Sequence, residues 1–204
     1  MTKNNRDWVG VGRAPVFKTL GASNHTEEER EQDDFYATDP IAADLLHSVE
    51  EFPGGIWECS AGMGHLSQRF EELGHKVIST DLIDRGYGQG GVDFLKVDKS
   101  LLPNIVTNPP YKFAQEFVEH GINILPIGGK LALFLKLQFL EGKARKEMFM
   151  RYPPHTVYVC SGRVLCAKNG DFERMKAGGG SAVAYCWYVW RRGEHNSPII
   201  KWIN

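Results

Sequence analysis

Ile56-Trp57-Glu58-Cys59-Ser60-Ala61-Gly62-Met63-Gly64-His65-Leu66 carries the reading of the fold. It runs from a short apolar strand, residues 56–59, through an acid and a Gly-x-Gly turn into the start of a helix. Glycines allow a tight turn and let a ligand approach the backbone, and the helix N-terminus that follows favours an anionic group. A dinucleotide fingerprint puts a third glycine where this chain has Ser67. Glu58 at the strand tip adds negative charge, which disfavours a pyrophosphate and suits a cationic ligand. The helix is expected to reach Leu73, with Leu66, Phe70 and Leu73 inward, and to stop at Gly74. Residues 76–80 read as a second strand ending at Asp81. A carboxylate there accepts both hydroxyls of a ribose in nucleotide-binding α/β folds; the alternative is a helix cap or a surface acid.

The same alternation extends both ways. Upstream, a helix is expected from Asp39-Pro40, with Ile41, Leu45 and Val49 on its inner face, broken by Pro53-Gly54-Gly55. Downstream, residues 84–91 form a glycine-rich loop, and 92–95 and 105–107 are short strands. A helix follows over 113–124, with Phe113, Phe117 and Ile124 among its apolar positions. Residues 130–137 make a strand buried on both faces, and 141–151 a charged helix. Residues 157–160 and 182–190 are the last strands, with a polar loop over 167–180 between them and Trp187 and Trp190 packed in this closing hairpin. Seven strands alternating with helices give one α/β domain: a doubly wound, mostly parallel seven-stranded sheet with an antiparallel C-terminal hairpin. Ligands of such sheets sit at the carboxyl ends of the strands, where each motif falls.

Asn108-Pro109-Pro110-Tyr111, after the fourth strand, is the sharpest local signal. Two prolines set a rigid, extended exit and remove two backbone donors, and Pro109 steers Asn108 away from helical geometry. Acceptors remain beside an aromatic ring. That set suits a planar group bearing an exocyclic amine: the acceptors take its protons and the ring stacks on its face. The plain alternative is a proline turn with Tyr111 in the packing.

On these residues the chain resembles the class I S-adenosylmethionine-dependent methyltransferases of the amino-methylating type, most closely the adenine-N6 DNA methyltransferases. Asn108, Pro109, Pro110 and Tyr111 match the family's catalytic tetrad, and residues 58–64 match its cofactor turn, with Glu58, Ser60, Gly62 and Gly64 in the matching positions. Asp81 matches the ribose-binding acid. Asp93 and Phe94 sit where such enzymes place an acid and an aromatic beside the cofactor's adenine. Phe35-Tyr36-Ala37-Thr38-Asp39-Pro40 resembles the segment that holds the methionine end, which implies Tyr36 and Thr38 as cofactor contacts. The small size and the phrase Asp34-Phe35-Tyr36-Ala37-Thr38-Asp39-Pro40 are similar to bacteriophage-encoded members. The likeness covers about residues 34–190, and implies a Rossmann-like methyltransferase fold, S-adenosylmethionine as cofactor and DNA as substrate. In such enzymes Asn108 and the Pro109 carbonyl draw on the N–H protons of a delocalised amine and align its lone pair with the methyl–sulfur axis. A duplex substrate then needs its base flipped out onto Tyr111. Glu58-Cys59-Ser60 departs from the family's frequent Asp-Pro-Phe, and fewer than a hundred residues follow the tetrad. Little is left for a target-recognition domain, so sequence specificity is expected to be low or short.

The whole-chain arithmetic agrees. The chain has 204 residues, 42% hydrophobic and 24% charged, which is ordinary globular usage and excludes wholesale disorder. A formal charge of −1 excludes a polybasic nucleic-acid binder, but the charge is uneven: residues 1–58 hold twelve acids and five bases, and 141–176 hold eight bases and four acids. Lys143, Arg145, Lys146 and Arg151 are candidate phosphate contacts on one helix, or else its solvated face. Residues 1–34 read as an extended or mobile arm or as a solvated surface loop. The four cysteines form no CxxC pair, so neither a metal site nor a disulfide framework is expected, and reduced thiols fit a cytoplasmic setting. No apolar run approaches the ~20 residues of a membrane span. The rival readings are an RNA adenine or protein glutamine methyltransferase with the same tetrad, a non-catalytic protein that keeps the cofactor fold, and a nucleotide-binding oxidoreductase. Ser67 and Glu58 oppose the last, the tetrad opposes the second, and oligomeric state is open.

Overall fold

The computed structural model describes residues 36–168, 170–177 and 182–204. The expected N-terminal arm, residues 1–34, lies outside the described residues. Seven strands form one sheet in the order β3-β2-β4-β5-β8-β6-β9: β2 (Ile56–Glu58), β3 (Val77–Ser79), β4 (Asn104–Thr107), β5 (Lys130–Lys136), β6 (Thr156–Cys160), β8 (Tyr185–Arg191) and β9 (Ile199–Ile203). β3, β2, β4 and β5 run parallel, β8 is antiparallel to both β5 and β6, and β9 is parallel to β6. A two-stranded ribbon, β1 (Tyr36–Thr38) against β7 (Cys166–Lys168), stands apart from the sheet. The helices are α1 (Ile41–His47), α2 (His65–Glu72), α3 (Ala114–Ile124), α4 (Lys143–Arg151) and the short α5 (Phe172–Ala177).

Period-two alternation builds the core. Along β5, Leu131, Leu133 and Leu135 face one layer with Trp57, Ile105, Phe117 and Tyr188, while Ala132 and Phe134 face the other with Leu46, Phe70, Val106 and Trp187. Both layers are closed, and burial of each such large side chain contributes about 1.5–3 kcal/mol. The doubly wound, mostly parallel architecture is the expected one, and the expected burial of β5 on both faces, of Leu66 and Phe70, and of Trp187 and Trp190 is found.

Several local expectations are corrected. In α1 the inner face is Ala42, Ala43 and Leu46, with Ile41 and Val49 exposed. The alanines let the helix approach so closely that the Trp187 Nε1–H donates to the Ala42 carbonyl at 2.8 Å. Residues 92–95 form no strand. Asp93 Oδ1 accepts from the Leu95 amide at 3.1 Å and caps a 3₁₀ turn, Phe94–Lys96, so the side chain takes the backbone donor a ladder would need. Phe113 is 40% exposed, because the helix starts one residue later, after a 3₁₀ turn over Tyr111–Phe113. The polar span 167–180 is not all loop: it carries the end of β7 and α5. The seventh sheet strand is β9, where the Ile199–Ile203 backbone pairs with β6. Among the described residues no helix is long and apolar enough to cross a membrane, and no cluster of three metal-ligating side chains occurs.

Candidate functional site

From β2 the chain crosses first to β3 on one side, and later to β4 on the other. The crossovers leave a crevice between the carboxyl ends of β2 and β4, where open α/β sheets bind ligands. A cavity of about 250 Å³ opens there, with Glu58, Ser60, Asp81, Asp93, Asn108 and Tyr111 in its wall. Tyr36, Thr38, Phe94, Pro109 and Pro110 line it too, so every expected cofactor or catalytic residue except Gly62 and Gly64 reaches one cavity.

The two glycines shape the turn from behind. Both take positive φ, 56° at Gly62 and 84° at Gly64. A Cβ on Gly64 would stand 2.5 Å from the Tyr87 ring, so the space its missing side chain leaves is filled by an aromatic, not offered to a ligand. The Gly62 N–H donates to Asp81 Oδ2 at 2.8 Å. A pyrophosphate therefore finds the turn covered by Tyr87 and its donor spent on a carboxylate.

Glu58 is 2% exposed at the tip of β2. Its carboxylate accepts from the Ser67 hydroxyl, which also lies 2.6 Å from the Ser79 hydroxyl. Burial pushes the Glu58 carboxyl up to about 8, against the Ser67 hydrogen bonds and with help from the nearby charge of Asp81. Ser67, read in the sequence only as a missing glycine, is thus the residue that holds this acid. Asp81 is fixed by the Gly62 amide, by the Ile83 amide at 2.9 Å on Oδ1, and by Arg85 Nη1 at 3.4 Å. Arg85 lines the cavity and was hidden in the glycine-rich loop. Asp93 pairs with Lys96 at 2.9 Å, which with its backbone bond holds it below the usual carboxylate range. Phe94 stacks on Phe117 at 4.6 Å, is 3% exposed and lines the cavity. Burial lowers His65, at the start of α2, against the pull of Asp39.

Asn108 leaves β4 between two far-off segments. Its amide nitrogen donates to Thr38 Oγ1 at 2.8 Å and to the Tyr36 carbonyl at 3.4 Å, with Cys166 Sγ at 3.9 Å. Its amide oxygen is buried and meets no donor. A carbonyl only accepts, so the Tyr36 oxygen settles which end of the amide is the nitrogen. The free oxygen costs about 1–3 kcal/mol in lost hydration, which an incoming donor offsets. Tyr111 lies beside it, stacked on Tyr36 with centroids 6.3 Å apart. Its hydroxyl donates to the Tyr185 hydroxyl at 3.3 Å, and the Lys136 ammonium sits 4.7 Å from its ring centre. Burial first, then Cys166 and Tyr185, push its phenol well above the ordinary range.

The basic helix splits. Arg145 is turned inward, donating from Nε to the Phe139 carbonyl at 2.9 Å and lying over the Phe139 ring, which ties α4 to the 3₁₀ turn before it. Lys143, Lys146 and Arg151 stay exposed. The four cysteines are free and buried. Sequence reasoning missed Ser67, Arg85, Tyr87, Cys166, Tyr185 and Lys136; Tyr87, Cys166, Tyr185 and Lys136 act through contacts between distant segments, whereas Ser67 and Arg85 reach acids nine and four residues away.

No family model matches the sequence, and no curated protein is similar to it. Solved structures do match in shape. A protein from Streptococcus thermophilus described as a hemolysin is 11% identical with a TM-score of 0.52, over 78% of this chain, which spans 66% of that one. A protein from Listeria monocytogenes described as a class I S-adenosylmethionine-dependent methyltransferase is 13% identical with a TM-score of 0.52, over 91% of this chain and 69% of that one. A protein from Pyrococcus horikoshii described as an RNA methyltransferase is 12% identical with a TM-score of 0.55, over 85% of this chain and 95% of that one. At such identities the likeness is one of architecture, and the chain has the Rossmann-like methyltransferase fold.

Proposed function

We propose that the protein is an S-adenosylmethionine-dependent methyltransferase that methylates the exocyclic N6 amine of adenine in DNA, with little sequence specificity. The observation that carries this reading is the Asn108 amide oxygen, buried at the cavity wall without a donor while its nitrogen is fully engaged. An exocyclic amine supplies the missing donor. The acids of the cavity support the cofactor: Asp81 and Asp93 fit a cationic ligand with a ribose, and Tyr87 over Gly64 opposes a pyrophosphate.

When bound, S-adenosylmethionine supplies an electrophilic methyl group on a sulfonium. The chain's own residues do the rest. Asp81, fixed by two backbone amides, presents carboxylate oxygens for ribose hydroxyls. Asn108 accepts an N–H of the target amine, which localises the nitrogen lone pair and orients it. The rigid Pro109-Pro110 exit keeps that oxygen in place. Tyr111 offers a ring face to the target base, and stacking of this kind is worth about 1–3 kcal/mol per base. Lys143, Lys146 and Arg151 are exposed cations of α4 available to phosphates. Phosphate contacts fix position and carry no sequence information directly, which is the basis for expecting low specificity.

The test is calorimetry with S-adenosylmethionine together with methyl transfer to unmethylated DNA, for wild type and Asn108→Ala. The variant is expected to bind the cofactor within twofold of wild type and to lose about 10²–10³ in kcat, the usual cost of one preorganised polar group. Folded wild type that binds no S-adenosylmethionine, or a variant that methylates at near the wild-type rate, overturns the reading.

A further inference from the structure

We propose that the β1–β7 ribbon is the positioning device of the acceptor, with Thr38 and the Tyr36 carbonyl fixing which way the Asn108 amide faces. The inference rests on the reading that Asn108 takes the target amine, and it moves Thr38 from the cofactor to the acceptor side of the site.

Three acceptors surround one NH₂ group: Thr38 Oγ1, the Tyr36 carbonyl and Cys166 Sγ. All three belong to the ribbon, where Thr38 and Cys166 are register partners and Tyr36 pairs with Lys168. A flipped amide would set its oxygen against the Tyr36 carbonyl and leave both without a proton between them. The ribbon therefore admits one orientation, and that orientation leaves the oxygen as the unsatisfied atom of a residue that lines the cavity. The ribbon is itself held down: the Asp39 amide donates to the Leu165 carbonyl at 2.9 Å, and Ala37, Thr38, Leu165 and Cys166 are buried. Thr38, 4% exposed, is short enough to reach Asn108 and has its hydroxyl turned to that amide.

A consequence bears on the residue at position 108 itself. Aspartate at 108 would face the Tyr36 carbonyl with an oxygen where a donor is required. The ribbon thus makes this site selective for asparagine.

The experiment measures the S-adenosylmethionine dissociation constant and kcat on DNA for wild type, Thr38→Val, Thr38→Ser and Asn108→Asp. Thr38→Val is expected to lower kcat at least tenfold with the cofactor constant within twofold, Thr38→Ser to recover most of kcat, and Asn108→Asp to fall at least tenfold while the ribbon is intact. Should Thr38→Val prove unstable, Thr38→Ser and Asn108→Asp carry the same decision. A Thr38→Val protein with weakened cofactor binding and normal kcat at saturation places Thr38 on the cofactor and overturns the inference, as does an Asn108→Asp protein of wild-type rate. A wild type that neither binds S-adenosylmethionine nor transfers methyl overturns the proposed function instead, so the two failures are distinct.

Discussion

Replacing Glu58 by glutamine is expected to make the ligand-free protein more stable, and only at neutral to alkaline pH. Glu58 is 2% exposed, and its donors are Ser67 groups with no cation among them. Burial raises its carboxyl from 4.5 to about 8. The direction of the pH dependence follows from proton counting. Below 4.5 the acid is protonated folded and unfolded, and costs nothing. Between 4.5 and about 8 the folded chain keeps a proton that the unfolded chain has released, so stability falls as pH rises. Above that window the full cost is present. At about 1.4 kcal/mol for each tenfold, the ceiling is about 5 kcal/mol, and relaxation around the ionised group brings the measured value lower. Glutamine keeps the shape and still accepts from Ser67, but has no charge to desolvate. Denaturant unfolding of both proteins at pH 5 and pH 9, with equal m-values, reads the difference. Glu58→Gln should match wild type within about 1 kcal/mol at pH 5 and exceed it by about 2–4 kcal/mol at pH 9. The same difference at both pH values would refute the argument, because it would mean that packing rather than ionisation separates the two.

Gly64→Ala places a Cβ 2.5 Å from the Tyr87 ring at a φ of 84°; left-handed strain and overpacking together predict a loss of about 2–5 kcal/mol in chemical denaturation. Adding Tyr87→Ala should recover the overpacking part, and strictly additive losses would show that the ring is not the obstacle. Lys143→Ala with Lys146→Ala should weaken DNA binding equally for all sequences and flatten its salt dependence by about one unit of slope per lost phosphate contact, with S-adenosylmethionine affinity unchanged; an unaltered slope would remove α4 from the DNA face.

How much of this was legible depends on the distance over which each feature is decided. The strand–turn–helix at 56–72, the strands at β3, β4 and β5 and the cavity position of Asp81 and Asn108 follow from local pattern, and the structure places them as the pattern predicts. Residues 92–95 read as a short strand, but the Asp93 side chain competes for the Leu95 amide and wins. β1 and β7 are three residues each and have no pattern of their own; the ladder that pairs them lies across 128 and more residues of chain. Ser67 illustrates the limit most plainly. Position counting marks it as a glycine that is absent, whereas its function is set by a hydroxyl facing Glu58 nine residues earlier in the chain.

The two sides of the cavity are assembled on different scales. Glu58, Ser60, Asp81, Asp93 and Phe94 come from one short run of chain, residues 58–94, through near-neighbour crossovers. The oriented Asn108 needs that run's neighbour β4 and two segments 70 and 58 residues away. Contacts of such sequence separation form late and at an entropic cost. On the proposed function, the half that would hold the electrophile is thus assembled locally, and the half that would select the nucleophile is a keystone set by remote parts of the chain. On that same proposal, drift in the crossover between β6 and β8 would alter the acceptor side while leaving the pocket of residues 58–94 whole, which would give the fold a way to change targets without rebuilding its cofactor site.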